Sequence, residues 1–307
     1  MPKVSVIMPT FNRAAYLQEA IESVLEQTYI DYELIIIDDG SVDNTKEVCA
    51  KYGEKVRYLY QENKGSPSAR NYGISQARGK YIALLDDDDR WVPHKLQIQV
   101  DFMEKHPELA FICSSAYVID QVDNATKFFG VSSSENSFDH LILGNFVFHL
   151  TVLAKKEIIL EIGGYDTNLL LCQDYDLWLR IAKKHPFCCI DEPLAYYRIH
   201  PQNISHKVEA ALANEEEILR KKELMSDLPF FRVQHIRAVH YMQFAKNFIK
   251  IGAYEKAKMC FLKAILCSPF IGRHFWPQDL QNGRFTFLKR LLRPYCYFFI
   301  RPTDSKF

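Results

Sequence analysis

Four consecutive aspartates, Asp86-Asp87-Asp88-Asp89, follow an apolar run, Tyr81-Ile82-Ala83-Leu84-Leu85. Adjacent carboxylates repel, and a pair about 4 Å apart costs about 1 kcal/mol in water and more near a protein surface. A buried strand that delivers such a cluster to its carboxyl end is suited to holding a cation. The alternative is a solvated acidic turn. Such turns usually mix acids with lysine between polar flanks, whereas this run has a strand before it and Trp91 just after. Two more polar clusters end apolar runs: Pro9-Thr10-Phe11-Asn12 after Val4–Met8, and Asp38-Asp39-Gly40-Ser41 after Glu33–Ile37. Their coincidence at strand ends points to one site more strongly than any one of them does.

The elements that must position these clusters alternate. Strands are expected at Val4–Met8, Glu33–Ile37, Val56–Tyr60, Lys80–Leu85 and Ala110–Ser114. Helices are expected between them at Ala14–Gln27, Asp43–Tyr52, Ser66–Ala77 and Pro93–Lys105. In the first helix Leu17, Ala20, Ile21, Val24 and Leu25 share one face at helical spacing. Glu33–Ile37 is almost wholly apolar, as in a strand buried on both sides. This pattern predicts an α/β fold with a mostly parallel central sheet flanked by helices. Ligands then bind beyond the carboxyl ends of the strands, where the three clusters fall.

Later segments are less regular. Residues 132–137 read as a loop, and a β-type pattern returns at Val147–Leu153. Helices follow at Lys155–Ile162, stopped by Gly163-Gly164, and at Asp174–Lys184. Beyond residue 206 no strands are expected, only a charged helix at Val208–Met225 and further helices over 233–268. The chain thus divides into a domain at 1–205 and a helical extension at 206–307. Residues 241–269 have the spacing of a single tetratricopeptide helix pair, but such repeats need about three units to bury a core, so a helical cap competes with that reading. The tail 285–301 sets Lys289, Arg290, Arg293 and Arg301 among aromatic residues. It reads either as an interfacial membrane helix or as a helix packed on its own domain.

Composition narrows the class. Of 307 residues 48% are hydrophobic and 25% charged, as in globular proteins. Lys+Arg and Asp+Glu are both 38, which leaves no global field for nucleic acid. The eight cysteines show no CxxC pair, consistent with reduced thiols. There is no signal-like start and no apolar stretch of about 20 residues that would span a bilayer. A cytoplasmic protein is expected, peripheral on the inner membrane face if the tail binds lipid. Oligomeric state is left open.

Taken in order, Pro9-Thr10-Phe11-Asn12, Asp38-Asp39-Gly40-Ser41, Ser68-Ala69-Arg70-Asn71-Tyr72-Gly73 and Leu85 through Asp89 resemble the family 2 glycosyltransferases, inverting enzymes with the GT-A fold. Gly163-Gly164-Tyr165-Asp166 and Gln173-Asp174-Tyr175-Asp176-Leu177-Trp178 continue the resemblance, which covers roughly residues 2–205. Each motif alone is weak; the ordered set is specific.

The resemblance implies a nucleotide-diphospho-sugar donor, UDP-linked, and a divalent cation, Mn2+ or Mg2+, that stabilises charge building on the diphosphate. The family's aspartate-any-aspartate motif maps onto Asp86 and Asp88, which a spacing of two puts on one side of an extended segment. Asp88 would contact the metal, and Asp86 would lie nearer the ribose or the metal's water shell. Asp87 and Asp89 are free to cap or pair locally, and Asp87 is grouped with the donor-binding residues. Pro9, Thr10 and Phe11 would line the base pocket, with Phe11 stacking or else simply packing in the core. Asp39 would accept from the base N–H. Asp38 could instead hold its loop. Arg70 would sit near the base or diphosphate, or else form a surface ion pair.

An inverting transfer needs a general base. The family takes it from a Glu-Asp pair opening a late helix. Here the pair is Gln173-Asp174, so Asp174 is the candidate, with a first-turn helix charge as its bland alternative. Gln173 can hydrogen-bond an acceptor but cannot share a proton. Asp176 reads as a first-turn charge. Within Tyr197-Arg198-Ile199-His200-Pro201, His200 would reach the diphosphate or metal, or be structural. The Gln-x-x-Arg-Trp signature of processive synthases is absent, which favours one sugar per encounter.

The acceptor is expected to be a glycan or lipid-linked hydroxyl in cell-surface polysaccharide or glycan assembly. Two rivals remain. A sugar-phosphate nucleotidyltransferase would need a glycine-rich loop after the first strand, where this chain has no glycine. A catalytically inactive GT-A-like binding module would not need both Asp88 and Asp174.

Overall fold

The computed structural model describes residues 1–121, 124–129, 137–201, 203 and 207–268. Strands β1 (Val4–Thr10), β2 (Tyr32–Asp38), β3 (Arg57–Tyr60) and β4 (Tyr81–Leu84) lie in the order β3-β2-β1-β4, all parallel. Helices α1 (Ala14–Leu25), α2 (Thr45–Ala50) and α3 (Ser66–Gln76) connect them. After β4 come β5 (Arg90–Trp91) and α4 (Lys95–Lys105).

Every residue of β1 is buried, so both sheet faces are covered. Side chains alternate along a strand. Val4, Val6 and Met8 join Leu34 and Ile36 in a core with Leu17, Ile21 and Val24 of α1, Val48 of α2 and Val100 of α4. Burying side chains of this size contributes about 1.5–3 kcal/mol each. On the other face α3 sits very close. A Cβ added at Gly73 would lie 2.5 Å from Ile37 Cδ1 and 2.8 Å from Ile7 Cγ2.

The second half of the sheet departs from the expected mostly parallel arrangement. Strand β6 (Phe111–Ile119) is followed by β7 (Ala125–Phe129), its antiparallel partner, and by the short helix α5 (Phe138–Leu141). A 3-10 turn at His149–Thr151 then leads into β8 (Leu153–Lys155), which is antiparallel to both β4 and β6. The nine strands found among the described residues therefore make a mixed sheet. The physical reason is the entry point. A parallel strand needs a crossover connection, whereas β8 enters from the edge where β4 ends.

Helices α6 (Lys156–Glu161) and α7 (Gln173–Ala182) follow. Strand β9 (Phe187–Arg198) was not legible as a strand. It runs parallel to β6 and antiparallel to β5, and completes the order β4-β8-β6-β9-β5. Its register against β6 shifts around Ser115, which pairs with Pro193, a residue that cannot donate to the ladder.

The expected helix Val208–Met225 is two pieces, α8 (Val208–Ile218) and α9 (Lys222–Met225). The first compact unit is Met1–Leu224, so it runs past residue 205 and takes in α8. A second unit begins at Met225. Within it α10 (Phe230–Lys250) and α11 (Tyr254–Cys267) pack as a pair, burying Ala245 and Phe248 from one and Ala257, Phe261 and Ala264 from the other. Gly252, at φ 75°, makes the turn, and the Ala253 N–H returns to the Phe248 carbonyl at 2.9 Å. The helix pair expected at 241–269 is thus helical as far as Cys267, and Pro269 and the tail 285–301 lie outside the described residues. Among the described residues no helix is long and apolar enough to cross a membrane, and every cysteine is a free thiol.

Candidate active site

The four aspartates form a tight turn in which the Asp89 N–H donates to the Asp86 carbonyl at 3.2 Å. Their like charges are resolved in four different ways. Asp86 is partly open and pairs with Arg70 Nη2 at 2.5 Å. Burial, the largest single influence, would push its carboxyl up, but the charge and hydrogen bond of Arg70, joined by His149 and Arg13, together hold it below the ordinary value. Asp87 is buried, with Arg13 Nη1 3.2 Å from Oδ1. Burial, then the Asp88 charge, push it up to about 7 against the pull of Arg13.

Asp88 Oδ2 is contacted by Arg13 and lies 2.9 Å from His200 Nε2. Asp89 accepts the Arg198 N–H at 2.8 Å through Oδ1, and burial and the Asp88 charge lift its carboxyl well above the usual range. Asp89 is therefore engaged in local structure through the Arg198 N–H.

Strand β9 delivers the other side of this arm. Arg198 is buried; its Nε donates to the Asp88 carbonyl at 3.1 Å and its Nη2 to Glu19 Oε2 at 2.6 Å. Two residues on, buried His200 stacks on Tyr16 with ring centroids 5.0 Å apart, and its N–H is held by Asn203 Oδ1.

The base-side clusters are zipped together. Asn12, at φ 52°, donates its N–H to Ser41 Oγ at 2.9 Å and accepts the Val42 N–H at 2.8 Å. Pro9 and Thr10 are buried, whereas Phe11 is 43% exposed, which removes core packing as its role. Asp38 holds its loop, accepting the Ser41 N–H at 2.7 Å and the Tyr58 hydroxyl at 2.6 Å. Asp39 accepts from Gln61 Nε2 at 2.6 Å, Lys64 N–H at 2.9 Å and Gly65 N–H at 2.8 Å. A carboxylate has about four lone-pair sites, so one direction on Oδ2 remains for a further donor.

Arg70 is buried, so its ion pair with Asp86 is not a surface contact. Its Nη1 donates to Ser66 Oγ at 3.1 Å, and Gln173 Nε2 donates to the same oxygen at 3.3 Å. This chain of contacts ends beside Asp174 in the first turn of α7. Asp174 Oδ2 accepts from Asn145 Nδ2 at 3.2 Å. Burial raises its carboxyl, with the nearby Asp86 charge adding and the Tyr175 N–H, Arg70 and Asn145 opposing. The net shift is upward, in the direction a proton acceptor needs.

Asp176 is more than a first-turn charge. It is fully buried, bound by Arg180 Nε at 2.8 Å and Lys221 Nζ at 2.7 Å. Arg180 also holds the carbonyls of Ile162 and Gly164, and Lys221 holds Asp166 at 2.6 Å. Gly164, at φ 70°, has Asn71 Oδ1 2.6 Å from where a Cβ would be, and Asn71 brackets Tyr165 through its N–H and carbonyl, each at 2.8 Å. Gly164 thus lets α3 and the Tyr165 loop close on one another, while Arg180 ties α7 to the same loop.

A divalent cation takes hard oxygen or imidazole donors, and Mg2+ in particular needs one or two carboxylates when substrate phosphates supply the rest. Asp88 and His200 offer such a pair, with Asp86 partly open beside them. Among the described residues no group of three or more acidic, histidine or cysteine side chains is arranged to hold a metal alone. The donor set fits a cation shared with a diphosphate. Four residues that line this region were not expected from sequence: Arg13, Arg198, His149 and Tyr165. For the arginines the usable signal was their places, one after the first cluster and one two positions before His200.

The family model for glycosyl transferase family 2 matches residues 5–152. TuaG of Bacillus subtilis, a glycosyltransferase named for teichuronic acid biosynthesis, is 30% identical over 261 residues, covering 81% of this chain and 97% of that protein. This chain belongs to glycosyltransferase family 2. WfgD of Escherichia coli, a UDP-Glc:alpha-D-GlcNAc-diphosphoundecaprenol beta-1,3-glucosyltransferase, is 28% identical over 258 residues, covering 83% and 95%. An uncharacterised glycosyltransferase of Rickettsia conorii is 35% identical over 213 residues, 67% of this chain, and the match spans about a third (35%) of that relative's length.

Among solved structures, Staphylococcus aureus TarS 1-349 with UDP-GlcNAc superposes with a TM-score of 0.67 at 18% identity, covering 86% of this chain and 79% of that one. The Pyrobaculum calidifontis mannosyltransferase PcManGT with GDP-Man and Mn2+ gives 0.55 at 16%, covering 97% and 83%. The fold of this family 2 chain is thus the GT-A fold expected from its motifs.

Proposed function

We propose that this chain transfers one sugar from a nucleotide-diphospho-sugar, UDP-linked, to an acceptor hydroxyl with inversion at the anomeric carbon. The observation that carries the reading is the connection of two carboxylates with opposite needs. Asp86, held ionised by Arg70, and Asp174, raised by burial, are linked through Arg70, Ser66 and Gln173. A donor lying between them would have its diphosphate toward the aspartate turn and its anomeric carbon toward α7.

In this reading the acceptor oxygen attacks the anomeric carbon as its proton passes to Asp174. The bond from that carbon to the diphosphate oxygen breaks, and the nucleoside diphosphate leaves with the electron pair. Asp88 and His200 would hold a divalent cation, Mn2+ or Mg2+, which when bound supplies charge stabilisation to the leaving diphosphate. Arg13 now contacts Asp88 and would give up that carboxylate oxygen. Pro9, Thr10, Phe11 and Asp39 would receive the base, with the exposed Phe11 ring stacking on it and the remaining Asp39 lone pair accepting its N–H. Arg70 and Asp87 complete the donor side, Asp87 by fixing Arg13.

The functions for which TuaG and WfgD are named support a place in cell-surface polysaccharide assembly, and WfgD's diphosphoundecaprenol acceptor supports a lipid-linked one. The domain at 1–205 would hold this chemistry, with the helical extension beyond it and the chain at the inner membrane face. A thermal-shift panel of nucleotide sugars with Mn2+ tests the donor class, because a bound ligand raises the melting temperature by mass action. A UDP-sugar should give the largest shift, and the shift should shrink with EDTA. No shift with any nucleotide sugar would overturn the reading.

A further inference from the structure

The reversed entry of β8 has a chemical consequence. Ala83 of β4 pairs with Leu153 of β8 in antiparallel register. The residues just before β8 are therefore carried to the same edge as the aspartate turn that follows β4. His149 arrives there on the 3-10 turn, in the electrostatic field of Asp86 and Arg70. It is only 9% exposed, and neither ring nitrogen has a hydrogen-bond partner. Its ring lies edge-on to Tyr165 at 5.9 Å and tilted against Trp178 at 5.9 Å.

The Tyr165 hydroxyl, the Trp178 Nε1–H and the Arg70 Nε–H are likewise buried without partners. The Arg70 guanidinium stands over the Tyr165 ring at 5.7 Å. Buried polar groups are normally satisfied, and each one left unmet costs about 1–3 kcal/mol. Several unmet groups around one histidine mark a place built to receive something polar.

We infer that His149 and the Tyr165 hydroxyl form a subsite for ring hydroxyls of the transferred sugar, between the Asp86 arm and Asp174. The inference rests on the proposed donor placement. Burial, aided by Arg70, lowers the His149 imidazole to about 3, so the ring is neutral at working pH. A neutral imidazole has one N–H donor and one acceptor nitrogen, and a phenol both donates and accepts. A sugar hydroxyl needs that pairing. A diphosphate, which only accepts, would select charged donors instead.

The test is titration calorimetry with Mn2+ on wild type, His149→Phe and Tyr165→Phe. UDP-glucose, UDP-N-acetylglucosamine, UDP-galactose and GDP-mannose are each compared with their own nucleoside diphosphate. Tyr165→Phe removes only the hydroxyl, so it guards against misfolding of the histidine variant. The inference expects the preferred sugar nucleotide to weaken by about tenfold in His149→Phe and severalfold in Tyr165→Phe. The affinity for the diphosphate alone should stay within about twofold. Equal losses for both ligands, or no loss for either, would show that buried water alone occupies the cluster and would overturn the subsite while leaving the donor reading intact. Wild type binding neither kind of ligand would overturn both.

Discussion

A carboxylate that takes a proton from a sugar hydroxyl must be ionised when the hydroxyl arrives, yet basic enough to hold the proton. Burial gives Asp174 the second property, and Arg70 with the Tyr175 N–H keeps the first within reach. Turnover at saturating donor should therefore fall as pH drops through the raised Asp174 value. That acidic limb should lie at higher pH than an ordinary aspartate would give, and a pH–rate profile checks it. The aspartate turn makes a sharper claim about register. Asp88→Ala should weaken Mn2+-dependent nucleotide binding by about tenfold or more, as loss of a ligand does. Asp89→Asn should leave it within about twofold, because Asp89 is used to accept the Arg198 N–H through Oδ1, a role an amide oxygen can keep. Calorimetry on the two variants separates them. Sequence marked the four carboxylates as a place where like charges must be resolved, since four in a row is a rare cost. It could not show which were paired away, because Arg13 and Arg198 come from distant elements. His149 was illegible for a plainer reason: inside Phe146-Val147-Phe148-His149-Leu150 it reads as part of a core strand.

At the scale of elements, close contact between helix and sheet sets the position of Arg70. Gly73 lets α3 lie against Ile7 and Ile37, one turn beyond Arg70. Gly73→Ala should push α3 outward and destabilise by about 1–3 kcal/mol, with a melting temperature several degrees lower. Strand β4 is tied to α4 through Glu104, which accepts from Tyr81 at 2.6 Å, Lys80 at 2.9 Å and Lys3 at 3.0 Å. The Tyr81 and lysine hydrogen bonds lower Glu104 from the ordinary 4.5 to about 2. Its stabilising contribution is thus full above pH 4.5 and is lost as pH falls toward 2. The melting difference between wild type and Glu104→Gln should be greatest near neutrality and close at pH 2, as melts across that range would show. The first four strands and their helices were legible because their apolar periods are clean. β8 and β9 were not, since β8 has three residues and β9 carries Pro193, Asp191 and Glu192 inside a strand. Their directions depend on which edge the chain enters from, which no local period encodes.

Across the whole molecule, every residue assigned to the site falls within Met1–Leu224. A chain cut after Asp227 should keep the thermal shift given by a nucleotide sugar with Mn2+, while loss of the shift would place part of the donor site beyond that cut. The ordered motifs were enough to expect a GT-A domain through their resemblance to the family 2 glycosyltransferases, which covers roughly residues 2–205. The end of the first unit was less legible, since α8 has the charged, helical pattern of the residues that follow it. The central claim is that Asp174 accepts the acceptor's proton without holding the donor. It is tested most directly by Asp174→Asn, measuring sugar-nucleotide turnover with Mn2+ alongside nucleotide affinity. The account predicts affinity within about twofold of wild type and turnover lower by about 100-fold or more. Full turnover in Asp174→Asn would contradict it.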